Sequence, residues 1–298
     1  MSERGGVKGV DAALIGERPT GLYTLVIMKF TRNRVALFGL ACLLLILLAI
    51  LLAPQVTPYD PIQKDTPARN QAPSLLHPFG TDKLGRDILS RVLYGGRVSL
   101  QVGFLSIGLA VVVSVPLGLL AGFFGGILDN AVMRVMDLIL AFPGLILAIW
   151  LVSLLGSNMS NVVIAIAFFS LPTYARLIRG ITLSIREMEY VVAARSMGAG
   201  SLRIMFFHIL PGVLGPMIVV TTLGVSGAIV AGASLSFLGL GVRPPTPEWG
   251  AMLADGRNYL RTQWWIAVFP GMTITLVVLI LNIIGDALRD ALDPNVRA

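Results

Sequence analysis

The chain has 298 residues, 55% of them hydrophobic and 13% charged, with a mean hydropathy of +0.82 and a formal net charge of +7. A soluble domain carries about a quarter charged residues, so the composition excludes a water-soluble globule and points to a polytopic membrane protein. One cysteine, Cys42, allows no internal disulfide, two distant histidines argue against a metal cluster, and no aromatic–basic cluster argues for nucleic acid; the positive charge reads as loop charge on the cytoplasmic side of a membrane.

In chain order, residues 1–34 form a polar, basic amino-terminal tail, expected in the cytoplasm. Val35–Ala53 is an uninterrupted apolar run, long enough to cross a hydrocarbon layer of roughly 30 Å and longer than a signal-peptide core. With the proline-rich external segment that follows, it makes a first unit over 35–98. Within that segment the second half of "TDKLGRDILSRVLYGG" reads as an amphipathic helix leading into the next span. Asp82, Arg86, Asp87, Arg91 and Arg97 are expected to be solvated on it, in local ion pairs worth under about 1 kcal/mol each.

Residues 99–290 read as the core transmembrane domain, with spans near 99–124, 138–155, 162–179, 212–235 and 264–285. Gly118, Gly122 and Gly126 recur every four residues, a spacing that lets helix backbones approach closely in lipid. Asp129, Arg134 and Asp137 fall in a short turn, Pro143 lies in the third span, and Leu171-Pro172 breaks the fourth. The fifth is rich in Gly, Ser and Thr, which suits packing or a polar path. The external stretch 236–263 precedes the sixth span, and Trp249, Tyr259, Trp264 and Trp265 suit a membrane interface. Residues 291–298 are a cytoplasmic tail. Six spans place both termini on one side; that side carries fourteen Lys and Arg against nine on the other, a modest positive-inside bias.

Between the fourth and fifth spans lies "IREMEYVVAARSMGAGSLRIMFFHILPG", residues 185–212. Glu187 to Met197 reads as helix, Gly198-Ala199-Gly200 breaks it, and Ser201 is a candidate N-cap of a second short helix ending at Pro211-Gly212. These residues fit either a solvated loop with helical caps or a compact two-helix knuckle that inserts into a groove on another protein.

No catalytic constellation stands out. Ser234 and Ser236 lack nucleophile-elbow spacing, leaving an intramembrane hydrolase using His208 and a span serine as a distant alternative. A phosphate-binding loop needs Gly before Lys, and Lys8, Lys29, Lys64 and Lys83 follow Val, Met, Gln and Asp. Any ATP-driven step therefore belongs to another polypeptide. With the fourth span taken only as Val162–Ala175, before the Arg176–Arg179 end whose side chains can reach the interface, the apolar spans carry no Asp, Glu, Lys, Arg or His, although Asp137 and Asp286 border two of them; this disfavours an ion-coupled transporter. A passive channel or scaffold is the third alternative.

The knuckle resembles the cytoplasmic signature loop of ABC-importer permeases (E-A-A, three residues, Gly, nine residues, I-x-L-P), which falls on Val192-Ala193-Ala194, Gly198 and His208-Ile209-Leu210-Pro211. Val192 stands where an acidic residue is usual, and His208 where Ile is usual. The stretches from His77, from Ser234 ("SLSFLGLGVRPPTPEWGAML") and from Asn282 resemble the second, C-type permease subunit of the dipeptide/oligopeptide/nickel class. The resemblance implies an all-α type I ABC-importer permease fold with six transmembrane helices in the bacterial inner membrane. Implied partners are a second homologous permease subunit, two cytoplasmic ABC ATPases that hold ATP and Mg, and an external substrate-binding protein. This chain would hold no cofactor. The implied cargo is di- and oligopeptides, with glutathione, nickel chelates or opines as alternatives. The implied coupling loop comprises Glu189, Val192, Ala193, Ala194, Arg195, Gly198, Leu210 and Pro211. Gly198 would permit the sharp turn, Ala193 and Ala194 close approach, and Arg195 would pair with an acidic ATPase residue.

Overall fold

The computed structural model describes residues 28–292; most of the expected amino-terminal tail and residues 293–298 lie outside that range. Among the described residues the chain is helical, with an isolated β-bridge between Thr81 and Asp87. Five helices are long and apolar enough to cross a membrane, or six spans if one bent pair counts as one.

Helix α1 (Arg34–Leu51) begins where the Asn33 side chain accepts from the amides of Val35 and Ala36 at 3.0 and 3.1 Å. Such a cap is worth about 1 kcal/mol. The helix leans on the last span at Gly39, where an added Cβ would lie 3.2 Å from Ile283. Phe38, Leu45 and Leu48 face outward, as an edge helix in lipid requires.

The second half of the stretch from Thr81 is helical, as expected. Helix α2 (Ile88–Phe124) starts at Ile88, with Asp87 as its N-cap, and Asp82 and Arg86 sit in the loop before it. The charges are not solvated as expected: Asp82, Arg86, Asp87 and Arg91 are all buried. Removing a charge from water is costly unless it is paired, and the loop folds back over the start of α2 so that each one is. Asp82 accepts from the Leu84 and Arg86 amides and from Arg86 Nε at 2.6 Å. Asp87 meets His77 Nδ1 at 2.9 Å, and Arg91 donates to the Pro61 carbonyl at 2.9 Å.

Helices α3 (Gly126–Leu140) and α4 (Gly144–Leu155) form the bent pair, at 88°. The span expected near 138–155 is therefore split, because the helix stops before Pro143, which takes the N-cap position of α4. Asp129, Arg134 and Asp137 lie on α3 rather than in a turn. Two ion pairs tie α3 to α5 (Met159–Ile185): Arg179 grips Asp129 through two contacts at 2.5 and 2.6 Å, and Arg176 meets Asp137 at 2.5 Å.

Helix α5 runs unbroken through Pro172. Pro172 is buried where α5 packs on α2, and Ser114 of α2 donates to the neighbouring Leu171 carbonyl at 3.1 Å. Of the three spaced glycines, Gly118 and Gly122 make this contact close: a Cβ at either would lie 2.7 Å from α5. Gly126 takes no part in it; it starts α3 with φ +58°.

Helix α6 (Glu189–Ser196) belongs to the knuckle. Helix α7 (Leu210–Phe237) packs on α2, α5 and α9 (Trp265–Leu292). The end of the bundle away from the knuckle is closed by a cap built from residues 57–87 and a short helix, α8 (Trp249–Gly256). Trp249, expected at a membrane interface, is instead fully buried, and its indole N–H donates to the Val92 carbonyl at 2.8 Å. Glu248 accepts from the Gly250 and Ala251 amides and from Ser99 Oγ. Trp265 Nε1 donates to the Thr81 carbonyl at 3.1 Å, and Lys83 meets Asp255 at 2.7 Å.

Candidate functional site

The knuckle joins α5 to α7. Arg186 closes α5 and reaches across to α2, donating to the Gly122 carbonyl at 2.8 Å. Glu189 opens α6, exposed, where a carboxylate complements the helix amino terminus. Val191 and Ala194, three residues apart and so on one face, are buried; Val191 packs in the main core with Ile185, Ile204 and Ile209. Val192, Ala193 and Arg195 lie on the exposed face.

Gly198 ends α6 in a double-bonded turn. Its N–H donates to the Arg195 carbonyl at 3.0 Å, and the Ala199 N–H donates to the Ala194 carbonyl at 3.1 Å. This is the Schellman arrangement, which needs a left-handed residue, and Gly198 has φ +85°. A Cβ on Gly198 would meet nothing within 4 Å. The turn, not crowding within the chain, therefore selects glycine.

The second half of the knuckle is built differently from the sequence expectation. Gly200, not Ser201, occupies the N-cap position, and no side chain caps it. A helical turn, Ser201–Ile204, passes into a π turn, Met205–Ile209, and then directly into α7. Pro211-Gly212 does not stop the helix, and Ser201–Phe237 forms one 37-residue run. The π turn shifts the hydrogen-bond register, with the Leu210 N–H donating to Met205, immediately before a residue that has no N–H to give. Tyr190 Oη donates to the His208 carbonyl at 3.3 Å and ties α6 to this turn. Leu210 is half-buried on the core, and Pro211 is exposed.

Ala194 is buried against its own bundle, and Ala193 is exposed. Arg195 lies with its guanidinium 5.6 Å from the Phe123 ring centre, a cation–π contact with the end of α2. The exposed surface around Gly198 mixes apolar and basic side chains: Tyr190, Val192 and Leu202 are exposed beside Arg195 and Arg203, and Met197 is 82% exposed.

Beside the knuckle helices runs a groove that the sequence did not single out. A cavity of about 570 Å³ lies between α5 and α7, lined by Ser170, Thr173 and Tyr174 on one side and by Leu223, Gly227 and Ser234 on the other, with Leu145 of α4 at its edge. A second cavity of about 350 Å³ shares Val230 and Ser234 with it and continues to Phe237 and to Gly250 of α8. Neither has a charged lining residue. Ser170 and Ser234 donate to carbonyls of their own helices at 2.8 Å, which leaves their oxygens free to accept. The signal for this groove was present in the sequence as the Gly-, Ser- and Thr-rich composition of the fifth span.

The hydrolase alternative fails on geometry. Ser114, Ser153, Ser170, Ser226 and Ser234 each donate to a main-chain carbonyl, and among the described residues none bonds to His208. His208 Nδ1 is buried without a hydrogen-bond partner, so no base is poised beside a serine.

Residues 114–298 match the family described as binding-protein-dependent transport system inner membrane component. Residues 21–73 match the N-terminal TM domain of oligopeptide transport permease C. The chain is 47% identical over 275 residues to the di/tripeptide transport system permease protein DppC of Pseudomonas aeruginosa (strain UCBPP-PA14), covering 90% of this chain and 91% of that one. It is 46% identical over 272 residues to the glutathione transport system permease protein GsiD of Pectobacterium atrosepticum, covering 91% and 90%. Among solved structures, an inward-facing MetNI methionine ABC transporter matches with a TM-score of 0.54 and 18% identity, over 67% of this chain and 96% of that one. At that identity the match speaks for the fold alone.

Proposed function

The chain belongs to the family of binding-protein-dependent transport-system inner-membrane components, and from that premise we propose that its knuckle is where separate cytoplasmic ATPases drive a path for small peptides. It is an ABC-importer permease of type I fold, a multi-pass protein of the bacterial inner membrane, and not an enzyme. The family implies ATPase and substrate-binding partners.

One observation carries the coupling role: the knuckle connects the two helices that wall the groove. Its inner face is held by Val191 and Ala194, and its far arm is continuous with α7. A push on the exposed face around Ala193 and Gly198 therefore reaches both walls as a rigid displacement, the kind of motion that opens and closes a site. The exposed apolar side chains suit a cleft on the ATPase. With Val192 at the usual acidic position, this contact rests on packing and shape rather than an ion pair there. The orientation that follows puts the knuckle and both termini in the cytoplasm and the cap of 57–87 and α8 outside. A second permease subunit, similar to this one, would close the open side of the groove.

Small peptides as cargo are supported by the groove's chemistry. An uncharged wall with free hydroxyl acceptors suits zwitterions of little net charge and offers no fixed ion that would trap them. Glutathione, carried by one relative's system by name, is itself a small peptide.

The test is reconstitution with the partner permease, both ATPases and the binding protein in proteoliposomes. ATP-dependent dipeptide uptake is expected. In a Cys42→Ser background, a cysteine at Ala193 should be labelled only from the ATPase side. Uptake without nucleotide, or labelling from the opposite side, would contradict the proposal.

A further inference from the structure

Helix α5 carries two arginines toward its knuckle end, and they are held differently. Arg176 lies ten residues before Arg186, which closes the helix, or about 15 Å along the axis. Met159 at the other end is about 26 Å away, so in a layer of roughly 30 Å Arg176 stands within the hydrocarbon depth. An ionisable group there is costly and marks a path for cargo or ions.

Both arginines pair with α3. Arg179 grips Asp129 through two contacts, at 2.5 and 2.6 Å, and the Asp129 side chain is only 14% exposed. That pair suffices as a tie between the helices. Arg176 meets Asp137 through one nitrogen at 2.5 Å, and both side chains are about half exposed, at 46% and 52%. A second, single, open contact adds little as a fastening, yet both charges are kept at this depth.

Their place gives them a use. Thr173, Arg176 and Gly180 follow at spacings of three and four, share one face of α5, and are all exposed. Thr173 lines the groove, and an added Cβ on Gly180 would meet nothing within 4 Å. The open face of α5 therefore runs from the groove past Arg176 toward the knuckle. Asp137 belongs to the same route, because α3 turns at Pro143 into α4, whose Leu145 stands at the groove's edge. The groove itself has no charged lining residue, so a solute moving along this face toward the knuckle meets its first charges at the pair.

Building on the permease reading, we propose that Arg176 and Asp137 form a charge-reading latch at the cytoplasmic mouth of the groove, taken over in passing by the two free ends of the peptide. The peptide carboxylate replaces Asp137 on Arg176, and the peptide ammonium replaces Arg176 on Asp137. Each charge stays paired while the direct contact opens; parting the pair without such a cargo leaves two uncompensated charges. A dipeptide, about 7 Å end to end, holds its two charges close enough to bridge the parted side chains. The latch thus passes zwitterions and stays shut to solutes lacking either charge.

The test uses the assembled transporter in proteoliposomes, with each cargo supplied as preloaded binding protein at saturation, so that loading does not enter the rate. Uptake of alanyl-glutamate is compared with that of alanyl-lysine. Asp137→Asn leaves Arg176 uncompensated, which should retain the extra carboxylate and lower alanyl-glutamate relative to alanyl-lysine about fivefold, the size of one half-exposed ion contact. Arg176→Gln leaves Asp137 uncompensated and should move the ratio the other way by a similar factor. The Arg176→Gln/Asp137→Asn double variant should return the ratio to that of wild type, and Arg176→Lys/Asp137→Glu should keep it there. A ratio unmoved in both single variants, or moved the same way in both, would overturn the latch. So would single variants that lose the partner permease on purification with the ratio unmoved, which would place the pair in the seam between subunits. A wild-type assembly without ATP-dependent uptake of either dipeptide would overturn the permease reading as well; active single variants with the wild-type ratio overturn the latch alone.

Discussion

The hydroxyl of Tyr174 on α5 lies against Gly224 on α7 and donates to the Val220 carbonyl at 3.4 Å. A Cβ at Gly224 would collide with that hydroxyl, while the ring carbon bearing it would be 3.3 Å away. Both residues line the groove, so this contact sets how closely its two walls approach. Gly224→Ala should force the walls apart and lower uptake about tenfold, with the protein still in the membrane. Adding Tyr174→Phe removes the colliding atom and should restore most of the loss, a non-additivity that marks direct contact. Uptake assays on the two single variants and the double variant check this; a double variant worse than both would reject the contact.

The paired Arg179 and Asp129 tie α3 to the arm that leads into the knuckle. Asp129→Asn and Arg179→Gln should each lower the thermal midpoint of the purified assembly. Because both groups are partly solvent-accessible, their coupling energy in a double-mutant cycle should be on the order of 1 kcal/mol. A coupling near zero would remove this pair as a structural tie.

Trp249 holds the cap to α2. Trp249→Ala empties a fully buried site and should cost about 3–5 kcal/mol. Trp249→Phe keeps most of the packing but leaves the Val92 carbonyl without its donor, for about 1–3 kcal/mol. Thermal unfolding monitored through Trp264 and Trp265 fluorescence checks the order; equal, small effects would place Trp249 outside the core of the cap.

The spans and the knuckle were legible because their signals are local. Val35–Ala53 is one apolar run, and Gly198 punctuates a helical pattern within a few residues of its own hydrogen-bond partners, Arg195 and Ala194. Where the determinants are distant, the sequence misleads. Lys83 finds Asp255 and Trp249 finds Val92 across more than 150 residues, so charges that look free are paired and an indole that looks surface-bound is interior. Pro172 and Pro211 look like helix ends, yet the first is buried inside an unbroken helix packed on α2 and a π turn accommodates the second. The hydroxyl-bearing groove wall is visible only as composition until α5 and α7 are placed side by side.

Coupling through the bent segment is the central claim, and Gly198 tests it most directly. Alanine there costs about 1–2 kcal/mol of backbone strain but meets no atom of its own chain, and asparagine tolerates the left-handed turn better. The measurement is peptide molecules imported per ATP hydrolysed in proteoliposomes for wild type, Gly198→Asn and Gly198→Phe. The ratio should stay near wild type for Asn and fall at least about tenfold for Phe, whose ring would project into the partner's cleft while the bundle stays folded. A wild-type ratio for Phe, in an assembly of normal stability, would contradict coupling at this turn.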